Sequence, residues 1–158
     1  MRKSKMVAIT DGSRETNRDF GKRFLLTEMS ASRVERWATR AFMAMARSGV
    51  DIPPEVVQTG MIGIAVLGLR ALAMGGVHYD EVEPLLDEML ECVRIIEDVQ
   101  HPELARPLIE DQVGAEDDIQ EVSTRIFLRQ EVFDLHVGFF QPGGRSTTTS
   151  TSDQKSPG

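Results

Sequence analysis

The chain of 158 residues carries 18 lysines and arginines against 25 aspartates and glutamates, for a net charge of -7, and 41% of it is hydrophobic. That length and apolar content support one domain with a real core, while the acidic balance argues against general nucleic-acid binding, because phosphate contacts need a net basic surface. The single cysteine, Cys92, excludes an intramolecular disulfide and a cysteine metal cluster and reads as a small buried apolar residue.

Residues 1–20 are polar and charged, with one short apolar run at Met6–Ile9 and a turn signal at Asp11-Gly12. They read as a flexible arm. No uninterrupted apolar stretch follows the basic Met1–Lys5 start, so a secretory leader is not expected. Lys22 to Met29 alternates loosely around Phe24 and Leu26 and predicts a strand.

Thr27 to Val50 predicts a helix over residues 31–48 with two contrasting faces. Val34, Trp37, Ala38, Ala41, Phe42 and Met45 form an apolar stripe at helical spacing. Arg33, Arg36, Arg40 and Arg47 occupy the other side, with Ser30 or Ser32 as cap and Gly49 as stop. The charge is uneven along the chain. Residues 1–50 hold 11 basic and 5 acidic residues, whereas residues 79–140 hold 4 and 17. The arginine face is therefore either a solvated surface paired with acids of the C-terminal half or a docking face for an acidic partner.

A second helix is expected at 54–74, opened by Pro53-Pro54-Glu55 and closed by Gly75-Gly76. It is apolar nearly all round, which places it centrally. Its longest uncharged stretch, Val56–Leu69, has 14 residues, short of the roughly 18–20 that span a membrane. The chain reads as soluble and cytosolic.

Asp80 and Glu83 outline a capping box for a third helix at 81–93, with Val82, Leu85, Leu86, Met89, Leu90 and Val93 as its stripe. Arg94–Val99 and Arg106–Val113 look β-like and suit pairing with the Lys22–Met29 strand. Asp117-Asp118 is the expected cap of a fourth helix at 118–137, with Glu121 and Arg125 at i,i+4. Its apolar residues fall on two stripes: Ile119, Val122, Ile126, Phe133 and Val137, and Leu128, Val132 and Leu135. Residues 141–158 are rich in Gly, Ser and Thr and read as a disordered tail. The expected fold is mainly α (α+β): about four helices with a small β element, in one domain over residues 21–140.

No catalytic set emerges. His78, His101 and His136 lie in separate segments without ligand spacing, and His136 reads as a last-turn cation suited to the helix dipole. Glu116-Asp117-Asp118 reads as a solvated helix start rather than a metal site. The glycine pairs lack the basic residue of a phosphate loop, and no serine sits in a nucleophile elbow. Neither enzyme activity nor a cofactor or metal is expected. Eight methionines suit either core filling or an adaptable binding surface.

Two segments carry a resemblance. FLLTEMSASRVERWATRAFMAMARSGVDIP, Phe24 to Pro53, is similar to the N-terminal signature of tail assembly chaperones of long-tailed bacteriophages. A short strand there ends in T-x-M, here Thr27 and Met29, before a helix matched by Ala31, Glu35, Trp37, Ala38, Arg40 and Ala41. EDDIQEVSTRIFLRQEVFDLHVGFF, Glu116 to Phe140, resembles the family's closing helix. It has Gln120 where an acid is usual and matches the L-R-x-E-V-F-x-L-H run from Leu128 to His136.

The resemblance covers roughly residues 21–140 and implies a non-catalytic protein. Members bind the long helical tape measure protein while the tail tube polymerises around it, in the host cytoplasm, and are absent from the finished virion. It implies the tape measure protein and the tail tube protein as partners, is compatible with a homo-oligomer, and in many phages goes with a longer frameshifted product. Expected contact residues are Arg33, Arg36 and Arg40, with the C-terminal Phe139 and Phe140. Two other classes remain open: a small structural tail or connector protein, and a regulatory helical protein binding nucleic acid through the arginines.

Overall fold

The computed structural model describes residues 1–47, 49 and 79–137. The expected helix at 54–74 and the tail from 141 lie outside them, as do Phe139 and Phe140. The described elements run β1 (Ser4–Ala8), β2 (Arg23–Thr27), α1 (Ala31–Arg47), α2 (Tyr79–Leu90), β3 (Val93–Ile96), a 3-10 turn (Pro102–Leu104), β4 (Arg106–Pro107) and α3 (Val122–Val137). The four strands form one antiparallel sheet in the order β1-β2-β3-β4.

This corrects the expected mainly helical fold with about four helices and a small β element. Three α-helices accompany a four-stranded antiparallel sheet among the described residues. The flexible N-terminal arm is corrected as well. Met6–Ile9 was too short to show a period, but its backbone completes the sheet edge, with Ile9 N–H donating to Lys22 C=O at 2.9 Å. The Asp11-Gly12 turn is present, with Gly12 at φ 73°.

Register explains the sheet's two faces, since paired residues project to the same side. Val7, Phe24 and Ile95 stand side by side, as do Leu26 and Val93, and all five belong to or pack on the core. Met6, Leu25, Arg94 and Pro107 share the other face, where Met6 is 60% exposed. One apolar and one solvated face is the usual state of an antiparallel sheet.

The helices close the apolar face. Ser30 is the cap of α1: its carbonyl accepts from Val34 N–H at 3.0 Å and its hydroxyl faces Arg33 N–H at 3.4 Å. Trp37, Ala38, Ala41, Phe42 and Met45 are buried, as the stripe predicted. Trp37 is fully enclosed, and its indole N–H donates to Leu85 C=O of α2 at 2.9 Å. A buried indole needs such a partner.

The ends of α2 and α3 depart from expectation. Asp80 lies within the first turn of α2 rather than before it. α3 starts at Val122, so Asp117-Asp118 do not cap it. Leu128, Val132, Phe133 and Val137 are buried, whereas Val122 and Ile126 remain 71% and 57% exposed. The first predicted stripe therefore divides along the helix: its later residues Phe133 and Val137 join Leu128 and Val132 of the second stripe in the core, and Val122 and Ile126 face out.

Candidate functional site

The expected arginine face is largely occupied within the fold. Arg33 pairs with Glu91 at 2.7 Å, Arg40 with Glu88, and Arg47 with Glu81 at 2.5 Å. Arg33, Arg40 and Arg47 are seven residues apart, so one side of α1 meets α2 along two turns per step. The order is antiparallel: the start of α1 faces the end of α2. Arg36 is exposed and makes no ion pair among the described residues. Of the expected contact residues, Arg33 and Arg40 are thus brought to α2, and Arg36 stands apart.

A groove opens on another side of α2. Its volume is about 730 Å³, within the range of roughly 300–1,000 Å³ common for ligand sites. Leu86, Leu90, Val93 and Leu108 supply its apolar lining. Glu83, Asp87 and Glu91 line the α2 side. Their i, i+4, i+8 spacing sets them in one row on the helix. Tyr79 stands at the same wall, 69% exposed. The charge of the nearby Glu83 carboxylate holds that phenol above its ordinary pKa.

The opposite wall is the segment after β4 together with α3. Glu110 and Asp111 line it with Arg125 and Arg129, and Glu110 pairs with Arg125. Burial pulls the Arg129 guanidinium below its ordinary pKa, while Asp87 and Glu110 act in the other direction. Arg125 was expected to pair with Glu121. Instead Glu121 pairs with Arg18 at 2.7 Å.

A polar network fixes this wall. Asp118 is 9% exposed; its carboxylate accepts both terminal nitrogens of Arg106 at 2.8 and 2.9 Å and Ile109 N–H at 2.6 Å. Arg106 holds the Asp118 carboxyl below the usual range despite burial. Asp117 accepts Asp111 N–H at 2.8 Å, with Asp111 at φ 53°, a conformation short polar side chains tolerate. Sequence reading assigned these acids to a helix cap because charge near a helix start is normally local.

Asp19 does the work expected of that cap. It is fully buried and accepts Gln120 N–H at 2.9 Å, Glu121 N–H at 2.9 Å and the Lys22 ammonium at 2.8 Å. Burial pushes its carboxyl up, but Lys22 and the two N–H groups outweigh burial and hold it below the usual value. Lys22 also donates to Asp118 C=O at 2.6 Å, joining the two acids into one brace.

His136 departs from the predicted dipole cation. Its Nδ1–H donates to Val132 C=O at 2.7 Å and its Nε2 accepts Met29 N–H at 2.8 Å. Those partners specify a neutral imidazole. Burial lowers its pKa accordingly. Cys92 is buried as expected, and burial pushes its thiol up to about 11.

No group of three or more histidines, cysteines or carboxylates suited to a metal ion occurs among the described residues. No helix among them is long and apolar enough to cross a membrane. The sequence reading missed the groove because its acids come from α2 and a distant loop. The spacing of Glu83, Asp87 and Glu91 was the one signal in the sequence. In comparisons with protein-family models, curated proteins and solved structures, nothing matches this chain.

Proposed function

We propose that this protein is a tail assembly chaperone of a long-tailed bacteriophage. It binds the tape measure protein reversibly, keeps it soluble while the tail tube assembles, and performs no catalysis. The site of action is the host cytoplasm, and the protein leaves before the virion is complete.

The observation that carries this reading joins the two segments of the resemblance. Met29, the end of the T-x-M strand motif, donates its N–H to His136, the end of the closing-helix motif. Trp37, Ala38, Ala41 and Leu128 from the same motifs are buried in one core. The shared residues thus act as a folding unit, and client contact falls to the surfaces around it. Pairing of Arg33, Arg40 and Arg47 with glutamates neutralises much of the face that a nucleic-acid reading requires.

Co-expression with the phage's own tape measure protein tests the proposal. The chaperone reading expects the tape measure protein to shift from the insoluble to the soluble fraction and to co-purify with this chain. An insoluble tape measure protein, with this chain soluble and alone, contradicts it.

A further inference from the structure

The groove between α2 and the segment following β4 joins an apolar lining to a row of acids along one wall. We infer that it takes a basic amphipathic helix of a client protein, apolar residues on its floor and lysines or arginines along α2. This deepens the chaperone reading and rests on it for the client's identity, but not for the chemistry of the groove.

The floor comes first. Leu86 and Leu108 are only half-buried, side by side with the buried Leu90 and Val93. They leave apolar surface that an inserted aliphatic side chain would remove from water, at about 25 cal/mol per Å². A helix supplies such side chains at i, i+3 and i+4, the spacing of helix-in-groove recognition.

Charge then selects the helix. Glu83 and Asp87 are exposed one turn apart, about 6 Å along the axis. Glu91 extends the row while also holding Arg33. A helix lying along α2 meets this row with cations when they too recur every four residues. The far wall brings cations of its own: Arg125 is matched by Glu110, and the half-buried Arg129 lies within electrostatic reach of Asp87. The five acids of the lining nevertheless outnumber its two arginines, and the net sign favours a basic helix. A client with acids at those positions would face the α2 carboxylates directly, and like charges brought together in an interface are strongly unfavourable.

The walls are built in advance. The buried Trp37–Leu85 hydrogen bond and the shared core hold α2 against α1, and Asp118 holds the segment after β4 by Ile109 and Arg106. Little ordering accompanies binding, which favours affinity.

The test uses the full chain and two labelled amphipathic peptides of about five helical turns. Both carry one leucine stripe, flanked by lysines in one and by glutamates in the other. Fluorescence anisotropy is expected to show the lysine peptide binding at least about tenfold more tightly, with the difference shrinking at high salt. The double variant Glu83→Lys/Asp87→Lys, both positions solvent-exposed, is expected to invert that preference. Glu35→Lys, an exposed acid on α1, is expected to leave it unchanged, and circular dichroism confirms that each variant is folded.

Equal binding of the two peptides overturns the inference, as does a preference that survives the double variant. So does a groove closed by a second copy, seen as a dimer that the double variant dissociates and that neither peptide displaces. Failure of the chaperone reading looks different: the lysine peptide binds in the groove, but the tape measure protein does not bind the chain.

Discussion

Met29 and His136 are 107 residues apart in sequence, yet the Met29 backbone N–H, just beyond β2, donates to the imidazole of α3 at 2.8 Å. The other ring nitrogen is committed to Val132 C=O at 2.7 Å. Protonation of Nε2 would remove the acceptor that Met29 N–H requires, so the fold is built around the neutral ring.

That arrangement sets a pH dependence. His136 titrates below its ordinary value of 6.5 in the folded state, chiefly through burial. The unfolded chain therefore binds more protons between the two values, and stability rises with pH there. The contribution is complete above pH 6.5 and is lost as pH falls through the folded value. Urea unfolding between about pH 5 and 8 is expected to show this slope, and His136→Phe to flatten it. Leaving Met29 N–H unpaired should also cost about 1–3 kcal/mol at neutral pH. An unchanged slope in the variant would assign the dependence elsewhere.

Asp19 is the second long-range anchor. Asp19→Ala strands two backbone N–H groups and leaves Lys22 with only Asp118 C=O to donate to, and it is expected to cost roughly 3 kcal/mol by chemical denaturation. Asp19→Asn keeps an acceptor and should cost less. In the wild type the folded carboxyl lies below 3.8, so its contribution is present above that pH and lost as acid protonates it. An alanine variant as stable as the wild type would contradict the capping role.

The α1–α2 ladder should behave as a set of surface pairs. Arg40 and Glu88 are 45% and 26% exposed at the side chain, so a double-mutant cycle to alanine is expected to give at most about 1 kcal/mol of coupling, diminished by salt. Arg36→Ala should change stability by less than about 0.5 kcal/mol. Coupling of several kcal/mol between Arg40 and Glu88 would mean a pair far better shielded than the structure has it.

Cys92 provides a simple check on burial. With its thiol pushed up to about 11, reaction with a disulfide reagent at pH 8 should be slow in the native protein and fast once unfolded. Rapid native reaction would place Cys92 at the surface.

The helical stripes were readable because they repeat within one segment. Trp37, Ala38, Ala41, Phe42 and Met45 satisfy a 3.6-residue period, and the structure buries all of them. β2, β3 and β4 were also foreseen, from alternation around Phe24 and from the β-like segments Arg94–Val99 and Arg106–Val113, although β4 is limited to Arg106–Pro107. What local pattern does not contain is partnership across distance. β1 is a strand because β2 offers it an edge. The same holds for the polar groups. Asp118 was read as a cap but serves Arg106, and Asp19 was read as part of a loose arm but braces the start of α3. The expected i,i+4 pair of Glu121 and Arg125 gives way to Arg18 and Glu110, since longer-range partners were geometrically better placed. Arginines on α1 were visible as a face; their glutamates on α2 decided what that face does.

Transient binding during tail assembly, as proposed, can be followed by quantitative mass spectrometry of tail intermediates and purified mature particles from infected cells. This chain is expected together with the tape measure protein in the intermediates and is expected to be lost from finished particles. A stoichiometric amount in mature virions would contradict transient binding and make the protein a structural part of the tail.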